Sequence, residues 1–288
     1  MGSFGRSMLA SLALAGLALA AGCEARSGGI TFHKAHRRDD SGALDSGDSS
    51  AGDDTAPDDS VGPDTGPALS TDTGGGANPQ GVDVSHWDYE VDWGAVYADG
   101  VSFMWAKATE GTGFEDPNFV ANTRGARDAG LYVGAYHFAV PSDSDAVTQA
   151  DYFVQHGGDW SADGQTLPGA LDIEWNPYDG GDCYGMSVGE MTAWIREFVD
   201  EYAALTGRTP IIYCGQLWWS ECVDDSDFSD APLWVASWDD AVPELPAGWD
   251  DWDVWQYGAA SVAGIPVDAD VNVYNGSEAR LQELADGG

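Results

Sequence analysis

One short run of this sequence, Asp172-Ile173-Glu174, has the residue types and spacing of a pair of reacting carboxyl groups. Residues i and i+2 of a β-strand face the same side of a sheet, so both carboxyl groups would point one way and Ile173 the other. Two close carboxylates do not both ionise readily, so the pKa of one rises and that group can act as an acid. A chain with 49 acidic residues contains such triplets by chance. The apolar residues on both sides, however, are typical of a buried strand and favour the functional interpretation.

The segments around this triplet predict a barrel. Alternating strands and helices imply parallel strand pairing with right-handed crossovers. Helices are expected over residues 118–129, over 145–156, and from Ser187, with Glu190 as its capping-box partner, to Gly207. The expected fold is α/β, an irregular TIM-like (β/α) barrel with eight strands and some helices shortened or missing. The predicted strands are 81–85, 101–108, 131–138, 167–174, 210–214, 233–238, 252–257 and 269–273.

Catalytic groups of such barrels gather at the C-terminal ends of the strands. Four acidic residues, contributed by three of the predicted strands, are therefore expected to meet at one place. The residues at the predicted strand ends are Asp83, Lys107, Glu110, Tyr136, His137, Asp172, Glu174, Trp238, Gln256, Tyr257 and Asp270.

The histidines and the lysine near these strand ends can be interpreted as structural residues or as catalytic and metal-binding ones. His86 and His137 could bind a metal with a carboxylate, but no His-x-x-x-His pattern or pair of cysteines supports this. We expect both to hydrogen bond with neighbours. Lys107, the only lysine after residue 34, is expected to form a structural ion pair. No cofactor and no metal ion is predicted.

Aromatic side chains near the strand ends could stack on sugar rings or fill the core and the barrel wall. For Trp105 and Trp255 the two interpretations are balanced. The full set is Trp87, Trp105, Trp175, Trp238, Trp255 and Tyr257.

Three cysteines follow residue 80. Cys214 lies in a predicted strand and is expected to be a buried, inert thiol. Cys183 and Cys222 lie on loops after successive strands, and we expect them to form a disulfide. Closing about 40 residues would stabilise the fold by roughly 4 kcal/mol on the chain-entropy model. The alternatives are a bridge between Cys214 and Cys222, or no bridge.

The first 79 residues have a different composition from the rest. Residues 1–22 match a signal peptide, and Ala20-Ala21-Gly22-Cys23 resembles a bacterial lipobox, in which Cys23 is lipidated; the alternative is ordinary cleavage near Ala21. Residues 23–79 are an acidic, Gly/Ser/Asp-rich segment predicted to be a disordered tether, and 80–288 form the folded domain. The chain is expected to be exported, and either lipid-anchored at the bacterial cell envelope or secreted.

The formal net charge of −38 excludes whole classes of partner. Nucleic-acid binding needs clustered Lys and Arg, and the one short basic run, Lys34 to Arg38, is too short to support it. An anionic lipid surface is also a poor electrostatic partner, so membrane contact is expected only through an N-terminal lipid.

Six motifs, which run in order from Gln80 to about Gly276, resemble the glycoside hydrolase family 25 lysozymes, the Chalaropsis-type N-acetylmuramidases. Each motif is weak alone, but six in register are a strong signal. They are Gly81-Val-Asp-Val-Ser-His-Trp87, Lys107-Ala-Thr-Glu-Gly111, Gly134-Ala-Tyr-His-Phe138, Leu171-Asp-Ile-Glu174, Trp255-Gln-Tyr257 and Asp270-Val-Asn272.

The resemblance implies cleavage of the β-1,4 bond from N-acetylmuramic acid to N-acetylglucosamine in peptidoglycan glycan strands, by a protein expected to be a monomer. Glu174 would be the general acid, and Asp172 its partner, which orients the substrate acetamide or serves as nucleophile. Asp83 and Asp270 would complete an acidic floor, and Asp268 is the alternative to Asp270. The substrate-binding residues expected in the same site are Tyr136, Lys107, Glu110, Trp238, Gln256 and Tyr257.

Two other functions fit a similar barrel. A family 18 chitinase would need the longer motif Asp-x-x-Asp-x-Asp-x-Glu, which the residues before Glu174 do not supply. A non-catalytic protein that binds cell-wall glycan would be expected to lack one of the acids, and all are present.

Overall fold

The computed structural model describes residues 77–224, 226–238 and 242–287. The predicted signal peptide, the proposed lipidation site Cys23 and nearly all of the proposed tether lie outside these residues. The strands are β1 (Gln80–Val84), β2 (Val101–Glu110), β3 (Phe114–Glu115), β4 (Tyr132–Phe138), β5 (Ala170–Asp172), β6 (Ile211–Gly215), β7 (Leu233–Ala236), β8 (Val254–Ser261) and β9 (Asp268–Tyr274). The helices are α1 (Trp93–Ala98), α2 (Phe119–Ala129), α3 (Ala146–Phe153), α4 (Val188–Thr206), α5 (Gln216–Cys222) and α6 (Glu278–Asp286).

Eight of these strands close into a barrel in the order β1, β2, β4, β5, β6, β7, β8, β9, and β3 adds a short hairpin to the end of β2. All eight predicted strands are present, so the predicted irregular barrel is confirmed. The expectation that all strands are parallel is wrong, because β9 runs antiparallel to both β8 and β1. Only residues 262–267 join β8 to β9, and a parallel crossover needs a dozen residues or more.

The three predicted helices are present, and two of them, α2 and α4, have the expected ends. Asn118 precedes α2, and Gly130 closes it with a φ of 102°. Ser187 opens α4 with a capping box to Glu190, and Gly207 closes that helix in the left-handed conformation. The third, α3, ends at Phe153 and continues as a π-turn over Val154–Gly158. The short elements α1, β3, α5 and α6 are additions to the prediction.

Large aromatic side chains fill the interior of the barrel. Trp105 of β2 and Trp234 of β7 meet across it with ring centroids 5.0 Å apart, and Tyr213 of β6 lies edge-on to Trp234 at 4.9 Å. We call these three residues the aromatic floor. Gly134 on β4 makes room for it, because a Cβ atom there would lie 2.1 Å from Nε1 of Trp105.

The outer face of the barrel is covered by two apolar layers. Helices α3, α4 and α5 pack against β4–β8, and α1 and α2 pack against β1, β2 and β9. No helix within the described residues is long and apolar enough to cross a membrane. The packing leaves the carboxyl end of the parallel strands, here called the mouth, as the place where polar side chains gather.

Candidate active site

The four predicted acids converge at the mouth. Asp172 is the last residue of β5, and Glu174 follows two residues later. Asp83 on β1 lies directly opposite Asp270 on β9 in their antiparallel pairing. The intervening Ile173 is fully buried in the outer layer, as the alternation of side chains predicts.

Asp172 is the most buried of the four acids, with 7% of its surface exposed. Burial, followed by the charge of Glu174, raises the pKa of Asp172 well above its usual range, and Lys107 acts in the opposite direction. Oδ1 of Asp172 is buried and accepts no hydrogen bond from the described residues. This oxygen is therefore available to a donor outside the described residues, such as a bound substrate.

Asp83 is held by two amide side chains. Nδ2 of Asn272 donates to Oδ2 of Asp83 at 2.8 Å, and Nε2 of Gln256 donates to the same oxygen at 3.0 Å. Burial, together with the charge of Asp270, raises the pKa of Asp83 well above its usual range, and the two amides lower it. Gln256 is 2% exposed, so the structure places it beneath the mouth rather than on its surface.

Asp270 has a pKa raised to about 7 by burial and by the charges of Asp88 and Glu174. Its alternative, Asp268, is exposed at the first position of β9. The raised pKa values of Asp83, Asp172 and Asp270 therefore favour a protonated carboxyl group in the mouth near neutral pH.

Lys107 reaches the mouth from β2 and forms the predicted ion pair. Its Nζ donates to Oε2 of Glu110 at 2.5 Å and lies 4.8 Å from the centre of the Phe138 ring. The other carboxylate oxygen of Glu110 accepts a hydrogen bond from the hydroxyl of Tyr178. Glu110 thus links the end of β2 to the loop after β5.

Tyr136 and Trp238 are at the mouth as predicted. Burial raises the pKa of Tyr136 well above its usual range, and the charges of Asp83 and Asp172 contribute. Trp238 is 56% exposed, and its Nε1 donates to Oε1 of Gln256 at 3.0 Å. A half-exposed indole with its N–H group already bonded offers an aromatic face on which a sugar can stack.

The other aromatic residues named from the sequence differ in their burial and contacts. Trp105 and Trp255 are fully buried and donate to the carbonyl oxygens of Pro168 and Ser237. Tyr257 packs against the outer layers, and its hydroxyl donates to Oε1 of Gln80 at 3.2 Å. The structure therefore does not bring Tyr257 into the acid cluster, because it follows the inward-facing Gln256 and points to the other side of β8. Trp87 is 52% exposed, whereas Trp175 is partly buried against the core.

Both histidines form hydrogen bonds, as expected. Nδ1 of His86 lies 2.6 Å from Oδ2 of the buried Asp116. His137 is fully buried, with Nδ1 2.8 Å from Oγ1 of Thr109 and Nε2 2.9 Å from Oε1 of Gln149. Burial lowers the pKa of His137 to about 4, so this ring is neutral and structural.

Sequence reasoning missed two residues of the site. Tyr184 is buried at a φ of 58°, and its hydroxyl has no hydrogen-bond partner among the described residues. Burial and then the charges of Glu174 and Asp172 raise its pKa. The other is Asp88, which accepts a hydrogen bond from the backbone of Ser85 at 2.7 Å. Its position directly after the motif Gly81–Trp87 was the available signal, whereas Tyr184 had only its position next to Cys183.

The predicted disulfide is present. Cys183 and Cys222 are bonded with Cα atoms 5.5 Å apart, and Cys214 is a buried free thiol. The bridge ties the loop that carries Tyr178 and Tyr184 to the end of α5.

Several known proteins are similar to this chain in sequence. The model of the family described as glycosyl hydrolases family 25 matches residues 82–265. Lysozyme M1 of Streptomyces globisporus is 45% identical over 228 residues, 78% of this chain and 76% of that protein. The N,O-diacetylmuramidase of Chalaropsis sp is 41% identical over 217 residues, 72% of this chain and 99% of that protein.

Solved structures agree. The bacterial lysozyme of Streptomyces coelicolor superposes with a TM-score of 0.72 at 45% identity, covering 73% of this chain and 98% of that one. A family GH25 lysozyme from Aspergillus fumigatus gives a TM-score of 0.70 at 42% identity, with 73% and 100% covered. The chain belongs to glycoside hydrolase family 25.

Proposed function

We propose that this glycoside hydrolase is an N-acetylmuramidase, which cleaves the β-1,4 bond from N-acetylmuramic acid to N-acetylglucosamine in peptidoglycan. The observation that carries the proposal is the carboxyl pair at the end of β5, in a chain 41% identical to an N,O-diacetylmuramidase. Glu174 is the general acid and Asp172 its partner. Asp83 and Asp270 form the second carboxyl pair of the mouth.

Glycosidic bond cleavage needs a proton on the leaving oxygen and negative charge near the developing oxocarbenium ion. Glu174 is partly exposed and supplies the proton to the glycosidic oxygen as the C1–O bond breaks. The free Oδ1 of Asp172 accepts the N–H of the substrate acetamide, whose carbonyl oxygen then attacks C1. In the second step a water molecule attacks C1, the bond between C1 and the acetamide oxygen breaks, and the water gives one proton to Glu174, so both carboxyl groups return to their starting state.

The side chains around the mouth are the ones that would contact the sugar. Trp238 offers its exposed face, and Tyr136, Lys107 and Glu110 line the opposite wall. Gln256 supports Asp83 and Trp238 from below, and Tyr257 supports the wall from outside.

The proposed location follows from the disulfide and the N-terminal sequence. A disulfide in a domain of this size fits an exported protein. A signal peptide over residues 1–22, a lipid on Cys23 and a tether over 23–79 would then hold a monomeric enzyme near its polymer.

The test is to digest purified peptidoglycan with the full chain, reduce the products and identify the new reducing ends by mass spectrometry. Reduced muramic acid is expected from the wild type, and Glu174→Gln should lower its rate of formation by at least about a hundredfold. The matched control is Glu221→Gln, an exposed position on α5. Reduced glucosamine ends would contradict the proposed bond, and no new ends from any variant would favour a glycan-binding protein.

A further inference from the structure

Two buried amide side chains connect Asp83 to two tryptophans. Oδ1 of Asn272 accepts a hydrogen bond from Nε1 of Trp234 at 2.8 Å, while its Nδ2 donates to Asp83. Oε1 of Gln256 accepts from Nε1 of Trp238 at 3.0 Å, while its Nε2 donates to Asp83. Both amides contact the same carboxylate oxygen, Oδ2. We call this arrangement the amide clasp.

The tryptophans fix the direction of both chains of hydrogen bonds. An indole N–H can donate but cannot accept, so the amide group that faces it must present its oxygen. The NH₂ groups of Asn272 and Gln256 are therefore forced to face Asp83. Two N–H donors directed at one oxygen exclude a proton from that oxygen, so Oδ2 of Asp83 stays an acceptor.

Asp83 and Asp270 are directly opposite residues of an antiparallel pair. Side chains in such positions have Cβ atoms about 5 Å apart, and repulsion between two half-buried carboxylates at that separation favours a state with one proton between them. The surroundings strengthen this preference because the nearby ionisable groups are mostly acids. Close to the pair are Asp88 after β1, Tyr136 on β4, and Asp172 and Glu174 at the end of β5. Asp116, after β3, acts on Asp88 and Tyr136, and Lys107 on β2 is the cation that acts on Asp172.

We propose that Asn272 and Gln256 are positioning residues that direct the shared proton of Asp83 and Asp270 to the side of the pair away from Oδ2. The proton is then confined to Oδ1 of Asp83 and the carboxyl group of Asp270. Resting on the proposed function, the pair then carries one negative charge, and its position relative to the bound sugar is fixed. Neither amide touches the sugar, because each acts through Asp83.

The first measurement follows the two carboxyl groups in the full chain. Carbon-13 labelling of the Asp side chains allows their signals to be followed by NMR across the pH range. Asp83 and Asp270 are expected to titrate in two coupled steps, both above the range of a free Asp side chain, with the step of Asp270 near pH 7. Independent titration of both groups below about pH 5 would overturn the proposal.

Asn272→Asp replaces the NH₂ donor by an oxygen and keeps the shape of the side chain. Trp234 continues to donate to one oxygen of the new carboxyl group, so its second oxygen faces Oδ2 of Asp83 and a proton must lie between these two oxygens. We expect the titration of Asp83 to separate from that of Asp270, and kcat to fall about ten- to hundredfold with KM within about twofold. Unchanged titration of both groups in a folded variant would overturn the proposal.

Asn275→Asp is the matched control. Its Nδ2 donates to Oδ1 of Asp251 at 3.0 Å, so the same donor-to-acceptor change occurs next to a carboxylate outside the mouth. Titration of Asp83 and Asp270 should not change in this variant. If Asn272→Asp does not fold, Gln256→Glu makes the same change in the other arm of the clasp and predicts the same separation.

The two proposals can fail separately. A chain that releases no muramic acid ends, but in which Asp83 and Asp270 titrate as a pair, would contradict the proposed function alone. An active muramidase in which they titrate independently would contradict the amide clasp alone.

Discussion

Asp270 shows how its surroundings change the chemistry of a single carboxyl group. Its pKa rises to about 7 because the side chain is mostly buried and faces Asp88 and Glu174. The folded chain therefore keeps a proton that the unfolded chain releases near pH 4. Stability is lost as the pH rises from about 4 to 7, and the loss is complete above pH 7.

Replacing the carboxyl group of Asp270 should remove this loss of stability at high pH. Asp270→Asn is expected to raise the free energy of unfolding by about 2 kcal/mol at pH 8, after the full effect is reduced for partial exposure. Below about pH 4 the variant and the wild type should be equally stable. Urea denaturation at both pH values measures the difference.

The control at the same scale is Asp268→Asn, two residues away on β9 and exposed. It should leave stability unchanged at both pH values and should retain muramidase activity, whereas Asp270→Asn should lose it. A stabilising effect of Asp268→Asn equal to that of Asp270→Asn would mean that general charge repulsion, rather than the site, is responsible.

The direction of single side chains could be predicted from the sequence where strand residues alternate between the two faces of the sheet. The triplet Asp172-Ile173-Glu174 was predictable because strand geometry fixes which side chains share a face. Tyr184 was not, because its orientation depends on a left-handed backbone at φ 58° and on the bridge beside it. The same alternation places Gln256 inward and its neighbour Tyr257 outward, so only one of the two could line the site.

At the level of elements, short connections decide what could be predicted. The direction of β9 follows from the six residues after β8, and the distance between these predicted strands was the available signal. Helices α1 and α5 have only six and seven residues, so their apolar periodicity is too brief to recognise. The longer α4 carried both of its end signals and was predicted to within a residue.

The loop between β5 and α4 depends on its disulfide. Replacing Cys183 and Cys222 by Ser should lower the free energy of unfolding by roughly 2–4 kcal/mol, because the unfolded chain regains the freedom of the closed segment. Activity should also fall, since Tyr178 and Tyr184 lie on this loop. Denaturation in urea and release of reducing ends measure the two effects.

Cys214→Ala is the control for that experiment, because Cys214 is buried without a bridge. Its stability should still drop when reductant is added, by the same amount as in the wild type. Reductant without effect on the wild type would contradict a stabilising role for the bridge.

At the level of the whole molecule, the N-terminal 76 residues are expected to supply location rather than fold. The carbonyl of Pro79 accepts a hydrogen bond from the backbone of Tyr274 at 3.0 Å, so a truncation should stop before residue 77. Deleting residues 1–76 should reduce lysis in cells and leave the rate on soluble glycan fragments unchanged. An equal loss in both assays would show that the deleted segment contributes to the folded enzyme.

Residues 80–288 carry 38 Asp and Glu against 6 Lys and Arg, so the folded domain is repelled by anionic wall polymers. Salt shortens the range of this repulsion, from about 30 Å at 0.01 M to about 8 Å at 0.15 M. Activity of the truncated enzyme on walls that carry anionic polymers should therefore rise at least about twofold over this range. Walls stripped of those polymers should show no rise, because only the polymer charge differs between the two substrates. A rate that falls with salt on both would mean that charge attracts the enzyme to its substrate, and the tether would then not be needed to overcome repulsion.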